Sequence, residues 1–262
     1  YMHLQPIMRD ARHKLSKRYG AASYKDFINK GYLKDAIINY IALLGWSPKD
    51  NTEKFGMDYM LANFSVDGLS KSPSIFDEAK LRWLNGEYLR ELSDEEFYEK
   101  ALPFLSRVDY LKGLDLKYLA SLLHSRCQSL ADVGPSECFK DMRTEDDLSV
   151  NLTEFVTAFD SLTPEMFVHS KNKVDVNAAR DMLPDLIRIA DTRWGDLYPA
   201  LEEYAATKGV KKGGVLWVFR IAITASPVTP GGATEMATLF GREETLRRMR
   251  RAAEVLGCDD IP

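Results

Sequence analysis

The sequence predicts a mainly all-α protein. Apolar residues recur at spacings of three and four along most of the chain, as in Leu33, Ile37, Ile41 and Leu44, and this spacing places them on one face of a helix. Residues that favour helix starts, such as Ser23, precede several of these runs. No stretch of the first 92 residues has a convincing strand-like alternation of polar and apolar residues.

The first part of the chain contains four predicted helices. Residues 1–22 are interpreted as the end of a strand that leads into a basic loop. Ser23 and Asp26 then have the spacing of a capping box, and Gly31 ends that short helix. The following helices carry the apolar residues of 33–44, those of 57–64 and those after Asp77, the last with an interruption expected at Asn85-Gly86.

A domain boundary is predicted at residue 93, where Ser93 and Glu96 form a second capping box in a polar cluster between two apolar patterns. The domains would be 1–92 and 93–262, with a possible subdivision near 172. Pro184 is expected to kink or split the long helix that Asp175 caps. The helices expected in the second domain are 94–107, 115–131, one from Pro164, one from Asp175 to Trp194, 195–207, 212–224 and 242–256.

The last predicted helix has an apolar face and a basic face. The apolar face consists of Leu246, Met249, Ala253 and Leu256. The basic face is predicted to expose Arg242, Arg247, Arg248, Arg250 and Arg251. These arginines either form a solvated face with Glu243, Glu244 and Glu254 as partners, which is the favoured interpretation, or they contact phosphates.

The composition is that of an ordinary globular protein, with 45% hydrophobic and 28% charged residues among 262. A net charge of −4 argues against a protein that coats nucleic acid by bulk attraction, although a local basic surface stays compatible with it. The three cysteines and four histidines are scattered, so we expect reduced, buried thiols and no metal site. With no membrane-length apolar run and no signal peptide, we expect a cytoplasmic protein.

A basic pentapeptide, Lys14-Leu15-Ser16-Lys17-Arg18, lies near the start of the chain. Ammonium groups beside a hydroxyl can neutralise a polyphosphate. An isolated run of this kind is more often a solvated loop, so its meaning depends on the segments that follow it. Those segments are Gly31-Tyr32-Leu33, Leu43 to Pro48, Phe76-Asp77, Lys80-Leu81, Trp83, Lys208 to Lys211, Arg220-Ile221-Ala222, Leu239-Phe240-Gly241 and the arginine-rich end.

In this order and spacing, the segments resemble bacterial glutamyl-tRNA synthetases along nearly the whole chain. The pentapeptide resembles the KMSKS-type loop of class I synthetases, in a Leu and Arg variant. The resemblance implies ATP binding by Lys14, Ser16, Lys17 and Arg18, with Lys17 as the catalytic residue that contacts the ATP phosphates, and with Mg²⁺ assisting in the full-length enzyme. We expect Lys17 to be exposed or poorly ordered.

The resemblance also implies the domains. Residues 1–92 would be the end of the catalytic region with a helical stem-contact fold, and 93–262 an all-helical anticodon-binding domain of the helix-cage type. This helical character argues against glutaminyl-tRNA synthetase, whose anticodon region is built of β-barrels. The HIGH-type motif, its Rossmann domain and the glutamate pocket are absent from the sequence, so the chain is expected to be a C-terminal half that is inactive alone.

Arg126 resembles the family's arginine that reads the third anticodon base and separates glutamate from glutamine tRNA. A guanidinium suits this task because its fork donates two hydrogen bonds in fixed geometry. The alternative is a helix-surface arginine paired with a local carboxylate. Both interpretations stay open from the sequence.

The resemblance implies a glutamate-accepting tRNA as the partner, with ATP and glutamate bound through the missing N-terminal domain. It gives no membrane partner, and a monomer is the family expectation. The alternative function is a stand-alone helical tRNA-binding module without ligase activity. A helical scaffold unrelated to RNA would require the ordered matches to be chance.

Overall fold

The computed structural model describes residues 5–15, 23–139, 150–259 and 261–262, and these residues form ten α-helices and no β-sheet. The predicted fold class is therefore confirmed. Short 3-10 helices connect many of the α-helices. The α-helices are α1 Tyr24–Asn29, α2 Lys34–Gly45, α3 Met57–Asn63, α4 Glu78–Leu89, α5 Asp94–Leu105, α6 Leu116–Leu123, α7 Val176–Thr192, α8 Leu197–Lys208, α9 Lys212–Thr224 and α10 Ala233–Leu256.

The chain divides into two compact units. The first comprises Tyr1–Val108 and Leu123–Asn151, and the second comprises Asp109–Leu122 and Leu152–Pro262. The domain limits expected from the sequence, 1–92 and 93–262 with a subdivision near 172, stay a prediction. Within the described residues, no helix is both long and apolar enough to cross a membrane.

The core of the first unit lies between α2 and α4, with α1 beside them. The predicted capping box begins α1, since the Ser23 hydroxyl accepts from Asp26 N–H and the Asp26 carboxylate accepts from Ser23 N–H at 3.0 Å. Phe76 stacks on Phe27 and meets Tyr40 edge-on, at ring distances of 5.7 and 5.5 Å. The buried centre of this core consists of Phe27, Tyr32, Ile37, Tyr40, Leu81 and Leu84.

Helix α4 runs without a break, so the predicted interruption at Asn85-Gly86 is wrong. Asn85 is fully buried, and its side chain connects α4 to two other segments of the chain by hydrogen bonds. Its carbonyl oxygen accepts from Leu33 N–H at 2.7 Å, and its amide nitrogen donates to Gln128 O at 2.6 Å. Tertiary hydrogen bonds thus outweigh the low helix propensity of this residue.

Helix α6 ends at Leu123, much earlier than the 115–131 predicted from its apolar stripe. The chain turns at 124–126 and enters a 3-10 helix at Leu130–Val133. The cause is Asp132, whose carboxylate accepts the backbone N–H groups of Gln128 and Ser129, each at 2.9 Å. Since the side chain takes these donors, they do not continue the helix.

In the second unit, α10 packs against α9 and α7. The predicted long helix α7 forms as one helix, with the Asp175 side chain accepting from Ala178 N–H at 2.8 Å. Pro184 does not split it. Proline lacks the N–H that would bond to the carbonyl four residues earlier, and that carbonyl, of Arg180, accepts from Cys258 Sγ at 3.5 Å.

Helix α10 contains a break in helical geometry at Gly241 (φ 78°), which separates two helical segments. The second segment is the helix predicted from about Arg242 to Leu256. Its predicted apolar face, Leu246, Met249, Ala253 and Leu256, is buried as expected. Arg248, predicted to be exposed, is only 7% exposed. Its guanidinium lies 4.0 Å from the Phe240 ring centre and donates to Ile223 O at 2.9 Å.

The other arginines of α10 have local partners. Arg247 and Arg251 pair with Glu244 and Glu254, and Arg242 pairs with Asp191 of α7. Hydrogen bonding from Arg247, with a further contribution from Arg248, lowers the pKa of Glu244 to about 2. These contacts agree with a solvated, locally paired face.

The three cysteines are free thiols, as predicted. Cys127 is buried, and burial raises its pKa well above the usual value. Cys138 and Cys258 are half-buried, so the expectation of burial holds fully for Cys127 alone among the three.

We expect Arg248→Ala to lower the free energy of unfolding by about 3 kcal/mol, because it removes the donor to the buried Ile223 carbonyl and to the half-buried Val156 carbonyl, and one of the two arginine partners of Glu244. The control is Arg247→Ala, which removes an exposed partner of the same Glu244 and should cost less than about 1 kcal/mol. Urea unfolding followed by circular dichroism measures both. Equal losses for the two variants would contradict the structural role of Arg248.

We expect Gly31→Ala to cost about 2 kcal/mol, because Gly31 has φ 82° and an added Cβ would lie 2.7 Å from Ala131 N. Gly45→Ala is the matched control, since a Cβ there meets no atom within 4 Å. That variant should be neutral or slightly stabilising. Thermal unfolding of both variants tests the difference, and a neutral Gly31→Ala would refute the close approach.

Candidate functional site

Two of the site residues predicted from the sequence, Lys14 and Arg126, lie in the described part of the first unit. Ser16, Lys17 and Arg18 lie outside the described residues. The prediction that Lys17 is exposed or poorly ordered therefore concerns a residue outside the described part of the chain. The site is therefore built from Lys14 and from the turn that carries Arg126.

Lys14 is exposed at the end of a short hairpin. Residues 8 and 14 form an antiparallel bridge, with Leu15 N–H donating to Ile7 O at 3.0 Å. The turn between them is held by Asp10, whose Oδ1 accepts from the backbone N–H groups of Arg12 and His13, both at 2.9 Å. The hydrogen bond from Arg12 N–H is the main reason that the pKa of Asp10 lies below its usual range.

The hairpin is attached to the core of the first unit through Met8. Met8 N–H donates to Ser74 O, and Phe76 N–H donates to Met8 O, both at 2.8 Å. Phe76 is itself fixed between aromatic rings of the core. The backbone that leads into the basic pentapeptide is thus held at a defined place, although its described part forms isolated bridges at Met8 and Lys14 rather than the predicted strand end.

Arg126 lies in the turn after α6 rather than on a helix face. Its backbone N–H donates to Leu123 O at 2.9 Å, and its side chain is exposed. Across the described residues the guanidinium forms no hydrogen bond or ion pair, so the alternative of a local carboxylate partner finds no support there. An exposed guanidinium of this kind can donate a planar pair of hydrogen bonds to a base edge or a phosphate.

The backbone around Arg126 is tied on its N-terminal side by His124. The two ring nitrogens of His124 lie 2.7 Å from Asp94 Oδ1 and 2.7 Å from Leu89 O. The ring also stacks on Phe97, at 4.6 Å between centres. These contacts join the turn to the end of α4 and the start of α5.

On its C-terminal side, the same turn is tied by Gln128, Ser129 and Leu130. Gln128 O accepts from Asn85, the Ser129 hydroxyl donates to Lys30 O, and Leu130 N–H donates to Gly31 O at 3.0 Å. The turn is therefore fixed to several segments of the first unit while the Arg126 side chain stays exposed.

A buried ion pair lies beneath this turn. Arg82 Nη2 lies 3.0 Å from both carboxylate oxygens of Asp132, and the two residues are 5% and 0% exposed. Sequence reasoning missed both residues. The available signal was one charged residue inside each of two apolar patterns, those of 81–84 and 130–133, since a charge is seldom buried without a partner.

The described residues contain no group of three or more His, Cys, Asp and Glu side chains that could hold a metal. The chemistry available to this part of the chain is charge placement and hydrogen bonding by arginine and lysine.

Comparison with known families gives two matches. Residues 96–253 match the anticodon binding domain family, and residues 1–83 match the catalytic domain of class I tRNA synthetases for E and Q. Glutamate–tRNA ligases of Clostridium botulinum strain Eklund 17B and Clostridium acetobutylicum are 41% and 36% identical over 98% of this chain. In both cases the match covers 50% of the relative, so the chain spans about half the length of the curated relatives it matches.

Solved structures share the fold. A crystal structure of a glutamate tRNA ligase from Elizabethkingia meningosepticum covers 97% of this chain and 51% of its own, with a TM-score of 0.69 and 22% identity. Glutamate-tRNA synthetase from Elizabethkingia anophelis gives a TM-score of 0.65 at 21% identity, over 96% of this chain and 50% of its own. The chain belongs to the anticodon binding domain family, whose model matches more than half of it, and along nearly its whole length it is similar to glutamate–tRNA ligases.

Proposed function

We propose that this chain is the C-terminal, tRNA-binding part of an enzyme that activates glutamate with ATP and transfers it to tRNA. The observation that carries the proposal is Arg126, an exposed guanidinium on a fixed turn within the match to the anticodon binding domain. A fixed backbone reduces the entropy lost when the side chain binds, and the planar fork suits base recognition. Arg126 would read the third anticodon base and separate glutamate from glutamine tRNA.

The pentapeptide would serve the first step of the same reaction. Lys14, Ser16, Lys17 and Arg18 would bind ATP, with Lys17 stabilising the negative charge that develops as pyrophosphate leaves. The support for this assignment is the catalytic-domain match over residues 1–83 and the attachment of Lys14 to the core through its hairpin. Mg²⁺ bound with ATP would add charge neutralisation to the phosphates.

The glutamate pocket and the remaining ATP contacts would come from the half of the enzyme that this sequence lacks, so the chain alone would bind tRNA without forming glutamyl-adenylate. The parent enzyme would work as a monomer in the cytoplasm, where tRNA is used. A stand-alone RNA-binding module explains the helical fold equally well, but it gives no reason for the catalytic-domain match.

We expect the purified chain to bind a glutamate tRNA, with an affinity that falls at least about tenfold between about 50 and about 200 mM salt. Such a fall corresponds to the release of counterions from about two phosphates. Fluorescence anisotropy with labelled tRNA at several salt concentrations measures it. Absent or salt-insensitive binding would count against an RNA surface on this chain.

The preference of the chain is the ratio of its affinities for glutamate tRNA and for the same tRNA with the third anticodon base of glutamine. We expect Arg126→Ala to lower this ratio about tenfold or more, because a base-reading fork contributes about 1–3 kcal/mol. Arg126→Lys should lose most of this preference as well, because it keeps the charge but not the planar fork.

The matched control for Arg126 is Arg251→Ala, which removes an exposed arginine that is paired with Glu254 in the second unit. It should change the affinity for both tRNAs equally and leave their ratio intact. If Arg126→Ala behaved like this control, Arg126 would not be the reading residue.

A further inference from the structure

The turn that carries Arg126 is organised by a side chain that has no direct access to a bound RNA base. Asp132 is fully buried, and its carboxylate accepts from three backbone N–H groups, those of Gln128, Ser129 and Val150, at 2.9, 2.9 and 3.3 Å. Arg82 supplies the compensating charge. A buried carboxylate with this many donors is fully committed to holding the backbone around it.

We propose that Asp132 is a positioning residue for tRNA discrimination, setting the backbone of the Arg126 turn so that the guanidinium meets the third anticodon base in one orientation. The proposal rests on the proposed function, because it takes Arg126 as the reading residue. Asp132 acts through the backbone and does not touch the RNA.

The path along the chain between Asp132 and Arg126 is short. The N–H groups that Asp132 fixes belong to Gln128 and Ser129, which follow Arg126 by two and three positions. On the other side, His124 is held by its two ring nitrogens. Arg126 thus lies in a short segment that is fixed at both ends, and the Asp132 carboxylate fixes one of them.

A second contact supports the same end of the segment independently. Asn85 donates to Gln128 O, and Asp132 accepts from Gln128 N–H. Both backbone polar groups of Gln128 are therefore held by buried side chains. Since directional recognition loses strength when its geometry is loosened, removing either contact should reduce base discrimination more than general RNA affinity.

A purely structural role is the competing explanation, and Lys30 provides its control. Lys30 is 3% exposed and forms another buried ion pair of the first unit, with Nζ 2.9 Å from Glu78 Oε1. Its contact with the turn is made by the backbone carbonyl, which accepts from the Ser129 hydroxyl. Lys30→Met therefore breaks a buried ion pair but keeps the backbone contact with the turn.

The test compares the full chain carrying Asp132→Ala, Asn85→Ala or Lys30→Met. Affinity is measured for a glutamate tRNA and for the same tRNA with the third anticodon base of glutamine, at a temperature well below each variant's unfolding midpoint. In the unmodified chain we expect the affinities for the two tRNAs to differ by about tenfold or more. In Asp132→Ala and Asn85→Ala we expect this ratio to fall to about threefold or less. Lys30→Met should keep the original ratio although its midpoint falls.

Each outcome has a distinct meaning. If the unmodified chain and Arg126→Ala give the same ratio, the proposed reading role fails, and the positioning role fails with it. If Arg126→Ala loses discrimination while Asp132→Ala and Asn85→Ala keep it, the positioning role alone is overturned. Equal losses in Lys30→Met and Asp132→Ala would also overturn it, since the effect would then follow stability. Should Asp132→Ala not fold, Asn85→Ala decides by the same criteria.

Discussion

The first unit depends on one buried carboxylate. Asp132 loses its hydration completely, a cost that is met only because Arg82 and three backbone N–H groups replace the water. This exchange ends α6 before its apolar stripe ends and creates the 3-10 helix Leu130–Val133. The same arrangement brings Leu130 and Ala131 so close to Gly31 that no side chain fits there.

The two arginines Arg126 and Arg248 illustrate why the number of positive charges predicts little about function. Arg248 is surrounded by aromatic rings, carbonyl oxygens and Glu244, so its hydrogen-bonding capacity is used within the fold. Arg126 is exposed and forms no side-chain hydrogen bond with any residue that the structure describes. A free guanidinium on a rigid backbone is the arrangement that recognition requires.

Local features of the fold could be predicted from the sequence. The capping boxes at Ser23 and Ser93 and the limits of α9 follow from a few adjacent residues. The errors at Asn85 and at Arg248 have a common cause, since each depends on partners far away in the sequence. The end of α6 depends on nearby hydrogen bonds to Asp132, but the buried charge of this residue is compensated by the distant Arg82. Arg82 and Asp132, for example, are 50 residues apart.

The candidate site also combines residues that could be predicted from the sequence with residues that could not. Lys14 and Arg126 are predicted as site residues because short segments around them resemble a known family, whereas that resemblance says nothing about the residues that hold their backbones. Asp10, Asn85 and Asp132 act through backbone N–H and carbonyl groups. Which backbone groups need a side-chain partner becomes clear only when the chain is folded.

Amide hydrogen exchange at Gln128 and Ser129 tests most directly whether the Asp132 carboxylate fixes this turn. Thr52 N–H is the internal reference, because it donates at 3.0 Å to an exposed aspartate, Asp50, through the same kind of bond. If the buried carboxylate organises the turn, Gln128 and Ser129 will exchange at least about a hundredfold more slowly than Thr52 after correction for intrinsic rates. Exchange at the same rate as Thr52 would contradict the account.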